Sequence, residues 1–192
     1  SETDEVLIVE GYMDVLSVYS SGVKNVIANS GTALTERQIS LIWKFFSNPI
    51  ICLDGDESGQ RAALRIAERL FPLINEKNKI YFSIMPEGTD PDDYIKNKGK
   101  EGLISLLKDK EIIQSFIWNY YLSKVDQSNP YEISKFEKQI KSLSYSIQDE
   151  ILRKYVLEDF LEKIKKLTPI QSSRHINRYA DYKKKKNYHI LK

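Results

Sequence analysis

Cysteine, histidine and long apolar runs are all scarce in this sequence. It contains one cysteine, Cys52, and two histidines, His175 and His189, among 192 residues. A single thiol excludes a disulfide within the chain and an all-cysteine zinc site. Both histidines lie far from the acidic motifs described below, which argues against zinc or iron chemistry of the imidazole type. Because no apolar stretch approaches the roughly 18 residues of a membrane helix, we expect a cytoplasmic protein without a membrane partner.

The two halves of the chain carry opposite net charge. Residues 1–103 contain 11 Lys and Arg against 16 Asp and Glu, a net charge of −5, whereas residues 104–192 contain 18 against 11, a net charge of +7. A solvated surface explains either half taken alone. Taken together, the halves predict an acidic centre that holds metal cations beside a basic flank that faces a phosphate backbone.

The first half alternates between strand-like and helix-like patterns. Four short runs rich in Val, Ile, Tyr and Phe predict strands that are covered on both faces: Val6–Val9, Asn25–Ala28, Ile50–Leu53 and Ile80–Met85. This alternation predicts an α/β fold whose mostly parallel four-stranded sheet is flanked by helices.

Two of the intervening segments have clear helical signals. The pair Thr35 and Gln38 has capping-box spacing and predicts a helix start. Apolar residues then recur at helical spacing, and the two predicted faces are Ile39, Ile42, Trp43 and Phe46 in one helix and Ala63, Ile66, Ala67 and Leu70 in the next.

The second half predicts helices and no convincing strand. Helical spacing recurs around Ile112–Leu122, Ile133–Leu143 and Ile151–Leu167, with turn signals between these segments. We therefore predict an α/β metal-binding domain over residues 1–105, a helical bundle over residues 106–170 and a basic linker or tail over residues 171–192.

Acidic residues follow three of the predicted strands. Glu10 comes directly after the first strand, and Asp54 and Asp56 come directly after the third. The segment after the fourth strand contains Asp90 and Asp92. Ligands of open parallel sheets bind at the carboxyl ends of the strands, so these carboxylates are expected to converge. Because clustered carboxylates repel one another, Mg²⁺ is their natural partner.

Each acidic motif also has a plainer explanation. Asp-Gly is most often a turn, and Asp90 before Pro91 fits the start of a helix. The run that begins at Asp54 resembles the first half of an EF-hand loop, but its twelfth residue is Arg65, where calcium binding requires Glu. The joint placement of the motifs at successive strand ends favours catalysis over isolated turns.

Four strings in order resemble a known family. They are VEGYMDV at residues 9–15, NSGTALT at residues 29–35, DGDESG at residues 54–59 and PEGTDPD at residues 86–92. The first and third resemble the Toprim signature shared by primases, topoisomerases and some nucleases. All four together resemble bacterial DnaG-type DNA primase over residues 5–105, and more weakly its following helical subdomain.

The resemblance implies an RNA polymerase that makes short primers on single-stranded DNA. It implies that Glu10, Asp54 and Asp56 are the catalytic, metal-binding residues, and that Asp14, Asp90 and Asp92 extend the site. The implied cofactor is Mg²⁺ or Mn²⁺, with more than one ion bound. Ribonucleoside triphosphates and a single-stranded DNA template are the implied substrates.

The resemblance covers only part of such a primase. Zinc is expected only in an N-terminal domain that this sequence does not include, and the replicative helicase is expected to bind a region beyond its end. We therefore expect this chain alone to be monomeric and weakly active or inactive.

Three other functions remain open at this point. A Toprim nuclease would use the same carboxylates to cut phosphodiesters. A topoisomerase is less favoured, since no tyrosine-bearing cleavage domain is recognisable. A non-catalytic scaffold would bind nucleic acid through Toprim acids that are only structural.

Overall fold

The computed structural model describes residues 4–29 and 34–167 of the chain. Its sheet has five strands in the order β2-β1-β3-β4-β5. The strands are β1 (Glu5–Val9), β2 (Val26–Ala28), β3 (Asn48–Leu53), β4 (Tyr81–Ile84) and β5 (Glu111–Ile112). The first four are parallel to their neighbours, and β5 runs antiparallel to β4. The α/β fold class predicted from the sequence is confirmed.

The fifth strand corrects the predicted sheet of four strands. Its two residues, Glu111 and Ile112, pair with Phe82 and Tyr81 of β4. Two residues cannot display the alternation that identifies a strand in a sequence. Only the free edge of β4 makes this short segment a strand, so the expectation of no strand after residue 102 was wrong.

Seven helices and one short 3₁₀ turn connect and cover these strands in the described residues. The helices are α1 (Tyr12–Ser20), α2 (Glu36–Ile42), α3 (Glu57–Leu70), α4 (Pro91–Lys108), α5 (Ile113–Leu122), α6 (Pro130–Ser146) and α7 (Glu150–Leu167), and the 3₁₀ turn is Phe71–Leu73. Helix α4 is kinked at Gly99, whose φ is +67°. None of the helices in the described residues is long and apolar enough to cross a membrane.

Alternate residues of the buried strands face two different helical layers. Leu7 and Cys52 face the layer that contains α1 and α4. Ile8, Ile51 and Phe82 face the opposite layer, which contains α2, α3 and the three C-terminal helices. Burial on both faces explains why the strands are almost continuously apolar. Cys52 is a buried free cysteine.

Aromatic contacts join the C-terminal helices to the sheet. The rings of Phe82 in β4 and Phe116 in α5 stack with centroids 4.4 Å apart. Trp118 of α5 contacts Phe136 of α6 and Phe160 of α7, at 5.0 Å and 5.6 Å between ring centroids. The three helices predicted after residue 105 are thus present. The division into domains stays a prediction, and the predicted tail, residues 171–192, lies outside the described residues.

The capping box at the start of α2 is confirmed. Thr35 Oγ1 accepts a hydrogen bond from the Gln38 N–H (3.3 Å), and Gln38 Oε1 accepts one from the Thr35 N–H (2.8 Å). The helix ends earlier than its apolar face predicted, because Trp43 caps it and Phe46 lies beyond its end. The predicted face of α3 is confirmed, since all four of its apolar residues are buried.

Thr35→Ala is expected to lower the free energy of unfolding by about 1 kcal/mol, because it leaves the Gln38 N–H without its cap. Urea unfolding followed by circular dichroism measures this loss. Ser134→Ala, at an exposed position inside α6, is the control and should change stability by less than about 0.5 kcal/mol. Equal effects from the two variants would contradict a stabilising role for the cap.

Candidate metal centre

The acidic residues lie where the order in which strands are added to the sheet reverses. From β1 the chain first builds β2 on one side and then crosses to β3 on the other side. Glu10 directly follows β1 and Asp54 directly follows β3, and these two strands are parallel neighbours. Such a switch point, at the carboxyl ends of parallel strands, is where open α/β sheets bind ligands. Glu10 is exposed and Asp54 is partly buried there.

Asp56 and Asp90 begin the two helices that start at the site. Asp56 Oδ1 accepts a hydrogen bond from the Gly59 N–H (2.6 Å) and caps α3. Asp90 Oδ1 accepts one from the Asp93 N–H (2.7 Å) and caps α4. Each cap uses one carboxylate oxygen, and the second oxygen is available to another ligand. The positive ends of two helix dipoles therefore meet the acidic cluster.

The loops that follow β3 and β4 pack directly against each other at Gly55. A Cβ added to Gly55 would lie 2.1 Å from the carbonyl oxygen of Pro86 and 2.3 Å from that of Met85. The Gly55 N–H also donates a hydrogen bond to the Thr89 carbonyl oxygen (3.3 Å). Close approach of the two backbones therefore requires glycine here. This contact brings the Asp54–Asp56 segment beside the segment that carries Asp90.

Five of the carboxylates lie near enough to one another for their charges to interact. The pKa of Asp54 is raised to about 6, first by burial and then by the negative charges of Glu10, Asp14, Asp90 and Asp56. The pKa of the Cys52 thiol is raised to about 12, chiefly by burial and further by the negative charges of Asp14, Asp54 and Glu10. Negative charge at this sheet edge thus destabilises further ionisation, which a bound cation would relieve.

Asp14 and Asp92 also accept hydrogen bonds from the protein. Asp14 Oδ2 accepts a hydrogen bond from the Gly11 N–H (3.0 Å), and burial is the largest of the effects that raise its pKa. Asp92 accepts hydrogen bonds from the Ser17 hydroxyl and from Lys96 Nζ, and both lower its pKa. Asp92 therefore joins α4 to α1.

Sequence reasoning missed the two partners of Asp92. Lys96 lies four residues after Asp92 in one helix, a spacing that favours ion pairs, so a signal for it was present. Ser17 is 75 residues away in the sequence. Only the packing of α1 against α4 brings these side chains together.

The donor set fits a hard cation that keeps part of its water shell. No group of three or more His, Cys, Asp or Glu side chains in the described residues is arranged as a ready-made metal cage. Mg²⁺ is usually held by one or two carboxylates, with water and substrate phosphates as the remaining ligands. Glu10 and Asp54, which form no hydrogen bond or ion pair with other described residues, suit that role. The predicted site residues remain a proposal.

The sequence of this site matches a known family. A family model described as Toprim-like matches residues 7–95. Residues 7–95 therefore have a Toprim-like fold. The matched span begins in β1 and ends in α4, so it includes all six predicted site residues.

Similarity to primases extends beyond the Toprim-like domain. The chain is 31% identical over 158 residues to the DNA primase of Rickettsia typhi, which covers 82% of this chain and 27% of that protein. The Escherichia coli primase catalytic core superposes with a TM-score of 0.77 and 30% identity, covering 85% of this chain and 52% of that one. The resemblance to DnaG-type primases predicted from the motifs is confirmed. The chain spans about a quarter of the length of the curated relative.

A related structure includes nucleic acid. The DnaG primase catalytic domain bound to single-stranded DNA has a TM-score of 0.78 and 28% identity to this chain, and the match covers 88% of this chain and 52% of that one.

Proposed function

We propose that this chain is part of the RNA polymerase core of a bacterial replicative DNA primase. The parent protein would synthesise short RNA primers on single-stranded DNA by metal-dependent nucleotidyl transfer. The observation that carries the proposal is the convergence of Glu10, Asp54 and Asp56 at the switch point of a Toprim-like sheet. The similarity to DNA primases supplies the reaction class.

The carboxylates would hold Mg²⁺ or Mn²⁺, with more than one ion bound. Glu10, Asp54 and Asp56 are the proposed principal ligands, and Asp14, Asp90 and Asp92 extend the acidic site. Ions held there would supply charge stabilisation for attack of a 3′-hydroxyl on the α-phosphate and for departure of pyrophosphate. The protein contributes positioning, because caps by Asp56 and Asp90 fix two carboxylates relative to the helices that they begin.

The proposed substrates are ribonucleoside triphosphates and a single-stranded DNA template. A related DnaG catalytic domain has been observed with single-stranded DNA, and the basic second half of this chain is suited to phosphate contact. The replicative helicase and zinc would bind parts of the parent protein other than this chain. We propose that the parent protein acts in the cytoplasm and that this chain is monomeric.

Calorimetric titration with Mn²⁺ tests the metal site directly. The unchanged chain is expected to bind Mn²⁺, and Asp54→Ala/Asp56→Ala is expected to lose that binding. The matched control Glu158→Ala/Glu162→Ala removes two exposed acids from α7 and should retain it. Equal binding by the Asp54/Asp56 variant and the control would place the cation elsewhere and remove the basis of the proposed chemistry.

Activity assays on the intact parent primase distinguish the remaining functions. Asp56→Ala should abolish metal-dependent primer synthesis while the protein remains folded, because it removes a metal ligand. Metal-dependent cleavage of RNA or DNA by the parent, without primer synthesis, would indicate the Toprim nuclease. DNA binding without either activity, unaffected by Mg²⁺ and by Asp54→Ala, would indicate the scaffold.

A further inference from the structure

Asp92 differs from the other acids of the site in having both carboxylate oxygens held by side chains. Oδ1 accepts a hydrogen bond from the Ser17 hydroxyl of α1. Oδ2 accepts one from Lys96 Nζ at 2.6 Å, and the same ammonium lies 3.8 Å from Asp93 Oδ1. Within the described residues, Glu10 and Asp54 have no such partners. The Lys96 ammonium therefore neutralises the Asp92 carboxylate at the edge of the acidic cluster.

The two members of the Lys96–Asp92 ion pair differ in exposure. The Lys96 side chain is 63% exposed and the Asp92 side chain is 21% exposed, so Lys96 is the better-solvated member of the pair. An ion pair with one well-solvated member is weak, because water competes for its charges. Releasing Lys96 into water therefore costs little, and a divalent cation with twice its charge can compete for the same oxygen.

The position of Asp92 places this exchange at the metal site. It lies two residues after Asp90, which caps α4, and after burial the charges of Asp90 and Asp92 raise the pKa of Asp14. Its carboxylate is also linked to Ser17, which follows Asp14 by almost one turn of α1. Asp92 therefore lies beside Asp14, at the edge of the acidic cluster.

We propose that Lys96 is an exchangeable counter-ion, which holds Asp92 when no divalent cation is bound and releases it when one binds. This inference rests on the proposed metal site. Lys96 lowers the net repulsion of the acidic cluster without metal, and Ser17 keeps Asp92 oriented toward the site during the exchange. The cost of breaking the Lys96–Asp92 pair is then part of the apparent affinity for metal.

Lysine reactivity measures the release directly. The full chain is treated briefly with a limiting amine-acylating reagent, with and without Mg²⁺, and labelling of each lysine is quantified by mass spectrometry. Labelling of Lys96 should rise several-fold when Mg²⁺ is added, because a free ammonium loses a proton more readily than a paired one. Lys98, exposed on the same helix, is the internal control and should not change. Unchanged labelling of Lys96 at a Mg²⁺ concentration that saturates the site would overturn the proposal.

Titration of charge variants with Mn²⁺ provides the second measurement. Lys96→Met should tighten binding about 3- to 5-fold, which corresponds to the loss of one competing surface ion pair. Lys98→Met removes the same charge and should change affinity less than about 2-fold, because its charge is screened from the site. Lys96→Arg should restore the original affinity. Equal effects of Lys96→Met and Lys98→Met, or weaker binding by Lys96→Met, would exclude the counter-ion role.

The Asp54→Ala/Asp56→Ala variant separates the two proposals. If it binds Mn²⁺ as tightly as the unchanged chain, the proposed metal site is wrong. If it loses binding while Lys96 behaves like Lys98, the metal site stands and only the counter-ion role is wrong.

Discussion

Asp54→Asn is expected to stabilise the metal-free chain at neutral pH and to abolish its binding of Mn²⁺ or Mg²⁺. Asp54 is partly buried among four other carboxylates, and its pKa is raised from 3.8 to about 6. At neutral pH the folded chain must therefore hold a charge that the unfolded chain holds more easily. Removing that charge should raise the free energy of unfolding by about 1 kcal/mol, after allowance for solvent screening.

The gain in stability should depend on pH in a defined direction. Because the folded-state pKa of Asp54 is raised, its protonated form favours folding below the unfolded-state pKa, and this contribution is lost as pH rises through about 6. Asp54→Asn should therefore exceed the unchanged chain in stability at about pH 7 and match it at about pH 4. Urea unfolding in the presence of a chelator, at both pH values, measures the difference.

Glu158→Gln is the matched control for this experiment. It neutralises an exposed acid on α7 and should change stability by less than about 0.5 kcal/mol at either pH. Added Mg²⁺ should raise the unfolding temperature of the unchanged chain and of the control but not that of Asp54→Asn. A loss of stability in Asp54→Asn at neutral pH, without metal, would contradict the claim that the charge of Asp54 destabilises the metal-free fold.

Gly55→Ala is expected to destabilise the chain by about 3 kcal/mol, near the upper end for a single overpacked site. The added Cβ would lie 2.1 Å and 2.3 Å from two backbone carbonyl oxygens of the loop after β4. Since backbone atoms cannot rotate away as a flexible side chain can, the two loops must separate. Their separation would also move Asp54 and Asp56 away from Asp90 and weaken metal binding.

Gly11→Ala provides the comparison within the same site. Its Cβ would lie 3.2 Å from Asp14 Oδ2, a side-chain atom that can shift by a few tenths of an ångström, and Gly11 has an extended backbone with φ −111°. We expect a loss of less than about 1 kcal/mol there. Thermal unfolding of both variants measures the difference, and equal losses would show that close packing of the two loops is not what requires glycine at position 55.

Much of the architecture could be predicted because its signals are local. The strands are apolar runs bounded by turns, and the face of α3 repeats at helical spacing. Thr35 with Gln38, and Asp90 with Pro91, mark helix starts through contacts within four residues. The acids Glu10 and Asp54 were located at strand ends for the same reason. The similarity to primases confirms the family resemblance that these motifs carry.

Long-range pairing decided what the sequence left open. β5 exists only because the edge of β4 accepts it, and Ser17 meets Asp92 only because α1 and α4 cover the same face of the sheet. The need for glycine at position 55 arises from a loop about thirty residues away in the sequence. The sequence alone thus determined the elements and the acids at their ends, since neighbouring residues set backbone conformation. Tertiary structure alone determined which acids interact through their charges and which one contacts Ser17, because charge and contact depend on distance in space.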